Sequence, residues 1–372
     1  MRASERGQAS AEYVGVLALA ALAFVTAGAM VGLGEIPAAV ASSVRTGICI
    51  VAGDICRDSD ARAAGLQPCT VGDRSRGGGT TFSVGLLRIG GADGLLVARR
   101  SDGSVVVTKS KEARRGLGAG AGVEASPLGV DVGVAGALDF TITSGAAWEF
   151  PDAAAAARFI ADADDTPPTW RFGEVGGELG GEVSAALQGI RFAGVHAGAG
   201  IAAGVRSGRG QTTLYLRGHL DTGANVWAPK SRAAIVGPGG QVMLELTIEG
   251  GDVREIAFRT ASRGAGGGEV VDTVARLDLR DARNRAAAQS VFISGVPAPP
   301  RLLALMRYTV QHGTVERAVY DVRDSSSSFA MGVKLVAELG LEDNDVDVER
   351  RLVAASAWTH GSQERLREDC LA

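Results

Sequence analysis

The chain has 372 residues, enough for one membrane anchor plus one large or two medium folded units. Its 38 basic and 42 acidic residues are spread along the sequence and leave a net charge of −4, so no basic block points to nucleic acid and no acidic tail to a solvated spacer. Aromatic residues make up only 5% of the chain, too few to rim a membrane-spanning barrel at both water interfaces.

The first element in chain order is an uncharged run from Tyr13 to Gly34, long enough to cross a bilayer as a helix. A single acid, Glu12, stands at its mouth, and Arg2 and Arg6 precede it. Three readings fit these residues. In the first, Arg2 and Arg6 begin a cleaved secretory signal that ends at Ala27-Gly28-Ala29. In the second the run is a permanent anchor, with Arg2 and Arg6 held on the cytoplasmic side. Neither gives Glu12 a purpose, because a carboxylate beside hydrocarbon is costly unless it finds a partner.

The third reading does. The residues GQASAEYVGVL resemble the processing motif of type IV prepilins, most closely the short Flp pilins and TadE-like pseudopilins. The resemblance implies cleavage after Gly7 by a prepilin peptidase, a mature chain beginning at Gln8, and Glu12 followed by Tyr13 as assembly residues. It also implies a partner for Glu12, the new α-amine of a neighbouring subunit in a pilus-like or secretion assembly. The resemblance covers only this N-terminal stretch. Under it the chain divides into a cytoplasmic leader (1–7), a transmembrane pilin-like helix (8–45), a cysteine-rich linker (46–79) and an extracytoplasmic domain (80–372). All three readings place the bulk of the protein outside the cytoplasm.

Cys49, Cys56 and Cys69 follow the hydrophobic run, and Cys370 lies at the other end of the chain. An even count behind an export segment suits two disulfides in an oxidising compartment, with three pairings open. The stretch DRSRGGG (73–79) reads as a loop.

Beyond it the hydrophobic period becomes two. LLVARRSDGSVVVTK holds two strand-like runs around the tight-turn dipeptide Asp102-Gly103. GVDVGVAGALDFTIT and AGVHAGAGIAAGVR alternate in the same way, as do QTTLYLRGHLDT, QVMLELTIEG, VREIAFRTA, TVERAVYDVR, SFAMGVKLVAELG and VERRLVAASAW. Helices are expected over PDAAAAARFIADA, residues 274–292 and PPRLLALMRYTVQ. The expected architecture is therefore an N-terminal transmembrane helix followed by a mainly antiparallel β domain, a long curved sheet or barrel-like wrap with two or three helices packed on it. Small residues on one strand face would let another element or a lipid approach closely.

The sharpest enzyme-like motif is LYLRGHLDTGANVW, which locally resembles the metal-binding segment of M20 zinc peptidases. His219 and Asp221 lie two apart on a strand, as zinc ligation would need, but the sequence has no Glu-Glu pair to complete that family's site. The simpler reading makes Tyr215, Arg217, His219 and Asp221 the polar face of a strand whose apolar face is Leu214, Leu216 and Leu220. RGAGGGE lacks the ending of a phosphate loop, and the acids of LGLEDNDVDVE lack calcium-loop spacing. The expectation is an anchored, exported surface or assembly protein that is not an enzyme and carries no metal or cofactor. A metal-dependent hydrolase using His219 and Asp221, or a lipid-binding ectodomain, stands as the alternative.

Overall fold

The Asp102-Gly103 turn illustrates how local chemistry sets the framework. Asp102 Oδ1 accepts hydrogen bonds from the Ser104 backbone N–H (3.0 Å) and hydroxyl (2.7 Å). The reversal joins β2 (Asp93–Arg100) to β3 (Val105–Leu117) in the expected hairpin. The computed structural model describes residues 46–76, 93–117, 123–125, 130–135, 138–162, 166–177, 182–187, 190–192, 201–220, 240–263, 268–292, 299–324 and 348–371. The proposed leader and anchor lie outside these residues. No described helix is long and apolar enough to cross a membrane.

The remaining strands are β1 (Thr70–Arg76), β4 (Val123–Ala125), β5 (Val130–Ala135), β6 (Leu138–Phe150), β7 (Trp170–Gly177), β8 (Glu182–Leu187), β9 (Ile190–Phe192), β10 (Ile201–Gly208), β11 (Gln211–Leu220), β12 (Gly240–Glu249), β13 (Asp252–Arg263), β14 (Glu269–Asp278), β15 (Thr314–Asp324), β16 (Val348–Thr359) and β17 (Arg365–Leu366). Pairing runs β1-β2-β3-β6-β7-β10-β11-β12-β13-β14-β15-β16, and β16 pairs back onto β1, so twelve antiparallel strands close into a barrel. β17 adds to β16, and β4-β5-β8-β9 form a second small sheet. Closure removes both open edges from the main sheet.

The helices are α1 (Asp58–Ala63), α2 (Ala153–Asp162), α3 (Ala282–Phe292) and α4 (Pro299–His312). Asp152 caps α2 by accepting from the Ala155 N–H (2.7 Å), and Asp281 caps α3 through the N–H groups of Arg283 (2.8 Å) and Asn284 (3.0 Å). α2 covers the outer face of β3 and β6, where Phe159 meets Trp148 and Phe150 at ring-centre distances of 4.8 and 5.0 Å. α4 lies across β14, with Leu305, Met306 and Val310 buried.

Several expectations are corrected. Residues 274–278 belong to β14 rather than to a helix, because the alternation Val270 to Leu277 continues the strand, and the helix starts only after the Asp281 cap. Asp73–Arg76 are strand, not loop, since β1 is held on one side by β2 and on the other by β16. The barrel thus begins inside the stretch read as a linker, which also holds α1 and the helical residues 46–52. GVDVGVAGALDFTIT divides between β5 and β6, which join different sheets. Residues 193–200 and 328–340 lie outside the described residues.

The chain arrives at and leaves from one end of the barrel. At that end the connections are tight turns or helical: 101–104, 151–169, 209–210, 250–251 and 279–313. Gly250 and Gly251 both adopt positive φ (60° and 89°), the backbone that a two-residue hairpin between β12 and β13 requires. At the other end of the barrel lie the strand ends Arg76, Gly177, Leu220, Arg263 and Asp324.

Candidate functional site in the barrel interior

Strand register decides which residues face inward. Gly204 lies opposite Tyr215, Tyr215 opposite Glu245, Glu245 opposite Ala257, and Ala257 opposite Arg276, so these share one face. The helices cover the other face, where Val97, Val105, Val107, Leu277 and Val315 are buried. Charged residues such as Glu245 and Arg259 therefore point into the barrel, where they share the inner face with a buried cluster of Phe172, Tyr215, Met243, Ala261 and Val270.

Closed by twelve strands, the interior is wider than aliphatic side chains alone would fill. Ion pairs between neighbouring strands line it. Arg217 donates to Glu174 (2.5 Å) and Arg259 to Glu245 (2.8 Å). Glu316 accepts from Arg276 and from Arg367 (3.0 Å), and Glu149 from Arg100 (2.8 Å) and Arg209 (2.6 Å). Arg350 grips Asp73 through its Nε and reaches Asp272 through its Nη1 (3.2 Å). Small residues make room for the rings among these chains. A Cβ at Gly145 would strike the Phe172 ring, and one at Gly204 the Tyr215 ring.

The electrostatics follow from burial and pairing. Burial alone would raise Glu245, but Arg259 and Arg206 outweigh it and hold the carboxyl below its usual range. Burial lowers Arg206, with Glu245 opposing. Burial and the neighbouring Glu174 push the Tyr215 hydroxyl well up. Asp272 is pushed up to about 6 by burial, with Asp73 adding to the shift and Arg350 opposing it. Thr108 Oγ1, Arg206 Nε and Asp272 Oδ1 are buried and have no protein hydrogen-bond partner, the kind of atom that bound water or a polar ligand satisfies.

The C-terminal segment corks the barrel end at which the chain arrives. Arg367, only 1% exposed, donates to the Gln67 carbonyl (2.9 Å), Glu316 and Asp369 (2.6 Å). The Tyr320 hydroxyl donates to the Thr70 carbonyl (3.2 Å). A cavity of about 130 Å³ remains inside the cork, lined in part by Arg100, Arg259, Asp272, Glu316, Tyr320 and Arg367. With guanidinium and carboxylate interleaved, the arrangement neutralises its own charges and cross-braces the strands.

The disulfides are Cys49–Cys56 and Cys69–Cys370, one of the three pairings that the sequence left open. Gly7, Gln8, Glu12 and Tyr13 lie outside the described residues. His219 stands opposite Gln241 near the end of β11, and Asp221 lies outside the described residues. Among the described residues no group of three or more His, Cys, Asp or Glu is placed to hold a metal ion. Sequence reasoning missed Glu174, Glu245, Arg259, Asp272, Glu316 and Arg350. Their signal was available as opposite charges on alternating positions of nearby strands, Glu245 on β12 before Arg259 on β13 and Asp272 on β14 before Arg350 on β16.

The fold and interior define the class: a closed, twelve-stranded antiparallel barrel with a charged core and disulfides at its corked end. The chain matches no known family model, no curated protein and no solved structure.

Proposed function

We propose that the chain is an exported, membrane-anchored protein of non-enzymatic function. Its N-terminal helix, processed after Gly7, carries the barrel as a rigid surface or assembly body outside the cytoplasm. A prepilin peptidase would release Gln8 as the new N-terminus. Glu12, beside Tyr13, would then pair with the α-amine of a neighbouring subunit, which satisfies a carboxylate held near hydrocarbon.

The observation that carries this reading is the placement of the disulfides. Cys49–Cys56 and Cys69–Cys370 both lie at the barrel end where the chain arrives, the first soon after the hydrophobic run in sequence, and structural disulfides persist in oxidising compartments. The disulfides fasten the barrel end that follows the proposed anchor in the chain, which leaves the opposite end for contact with partners. An interior of mutually neutralised ion pairs suits a load-bearing body better than a catalytic cleft.

The test is the mature N-terminus of protein from the membrane fraction, read by mass spectrometry. A chain beginning at Gln8, and no longer produced by Gly7→Leu, supports the reading. A chain beginning at Met30 would remove the anchor and overturn it.

A further inference from the structure

We propose that the groove between α3 and the β12–β13 hairpin binds a single acyl chain bearing an anionic head group. This site lies on the outside of the barrel, apart from the charged interior, and its chemistry is of the opposite kind. Leu246 of β12 and Ile256 of β13 are register partners that face outward and form its floor, joined by the buried Leu279 and Ala288. The groove encloses about 370 Å³, within the range of small-molecule sites.

Two guanidinium groups stand at this apolar floor. Arg285 is held in place by donating to the Leu279 (3.0 Å) and Arg280 (3.3 Å) carbonyls, and among the described residues no carboxylate pairs with it. Arg254 touches Asp252 only at 3.5 Å, and its Nε is buried with no acceptor. Two arginines against one acid leave the lip positive, and a buried donor calls for an acceptor that a carboxylate or phosphate would supply. A peptide is a poor fit, because β12 and β13 are paired on both sides and offer no edge for an added strand.

The groove lies at the barrel end where residues 46–52 arrive, and Ile48, Ile50 and Val51 are 53, 56 and 64% exposed. A bilayer lipid and a free fatty acid share the required chemistry. The assignment of the groove rests on its own residues and not on how the N-terminus is processed.

The experiment uses the full chain in its own membranes, labelled with a diazirine analogue of palmitate and mapped by peptide mass spectrometry. Labelling is expected to concentrate in residues 246–256 and 279–289. Gln289→Trp, which fills the groove from an exposed helix position, and Arg285→Glu, which reverses the charge at its lip, should each weaken it about tenfold. Unchanged thermal midpoints and intact disulfides would show that both variants fold. Competition by unlabelled palmitate alone would identify a free fatty acid as the source, and competition by phosphatidylglycerol vesicles a membrane lipid; either supports the site. Label spread evenly over the barrel, or label indifferent to both substitutions, would overturn the proposal.

Discussion

Arg350 and Asp73 stand 277 residues apart in sequence and face each other across the seam where the last barrel strand meets the first. Nε of Arg350 donates to both carboxylate oxygens of Asp73 (3.0 and 2.9 Å), and both residues are about 5% exposed. The same guanidinium reaches Asp272 on β14, so one buried cation ties three strands together.

Removing that cation strands two acids in the interior. Arg350→Met is expected to destabilise the fold by about 3–5 kcal/mol, the usual consequence of breaking one side of a buried pair. Urea unfolding of the variant beside the native chain measures it. A loss below about 1 kcal/mol would mean the seam is held by backbone pairing alone.

Asp272 gives the pH dependence. Its carboxyl titrates near 6 in the folded chain, above the unfolded value of about 3.9. Between those pH values the folded state binds the extra proton, so this group's contribution falls as pH rises through the window and is flat above it. The drop is about 3 kcal/mol at most, and the difference between native and Asp272→Asn stability from pH 4 to 7 isolates it from other acids. Parallel curves would show that Asp272 ionises normally.

The two disulfides should differ in weight. Cys69–Cys370 spans 301 positions and Cys49–Cys56 only 7. Loop-closure entropy grows with the span, so replacing Cys69 and Cys370 by alanine should cost about 2–5 kcal/mol, and more than the equivalent change at Cys49 and Cys56. Thermal midpoints of the two double variants rank them.

One substitution should act with opposite sign at two glycines. A Cβ at Gly204 would overlap the Tyr215 ring and lie 2.7 Å from the Gly173 carbonyl, so Gly204→Ala should cost about 1–3 kcal/mol. Gly47, in the helical residues 46–52, has open space around it, and Gly47→Ala should stabilise by up to about 1 kcal/mol. Equilibrium unfolding of the pair separates packing from backbone freedom.

Period-two patterning made most strands legible, including β11, β12, β13, β15 and β16. It did not reveal which face was inside. Tyr215 and Arg217 read as the wet side of a strand and Leu214 and Leu216 as its dry side, yet Tyr215 is 4% exposed within the barrel while Leu214 packs outward. Alternation distinguishes two faces, and only closure assigns them. Closure brings Asp73 opposite Arg350, a pairing with no local trace. The disulfide partners were hidden for the same reason, because Cys69 and Cys370 become neighbours only once β1 and β16 do. β14 was misread where Leu277 and the following helix run together, since the stop lies in the Asp281 cap.

The seam between β1 and β16 also sets an order of events for a chain made from its N-terminus. β1 is made first, with only β2 as a partner. Its second edge must wait for residues 348–351. Until then the growing sheet carries an unsatisfied edge that could accept a strand from another copy. Ring completion therefore comes late in folding, and the time taken to supply β16, rather than intrinsic strand propensity, governs how long each molecule stays open to exchange with its neighbours.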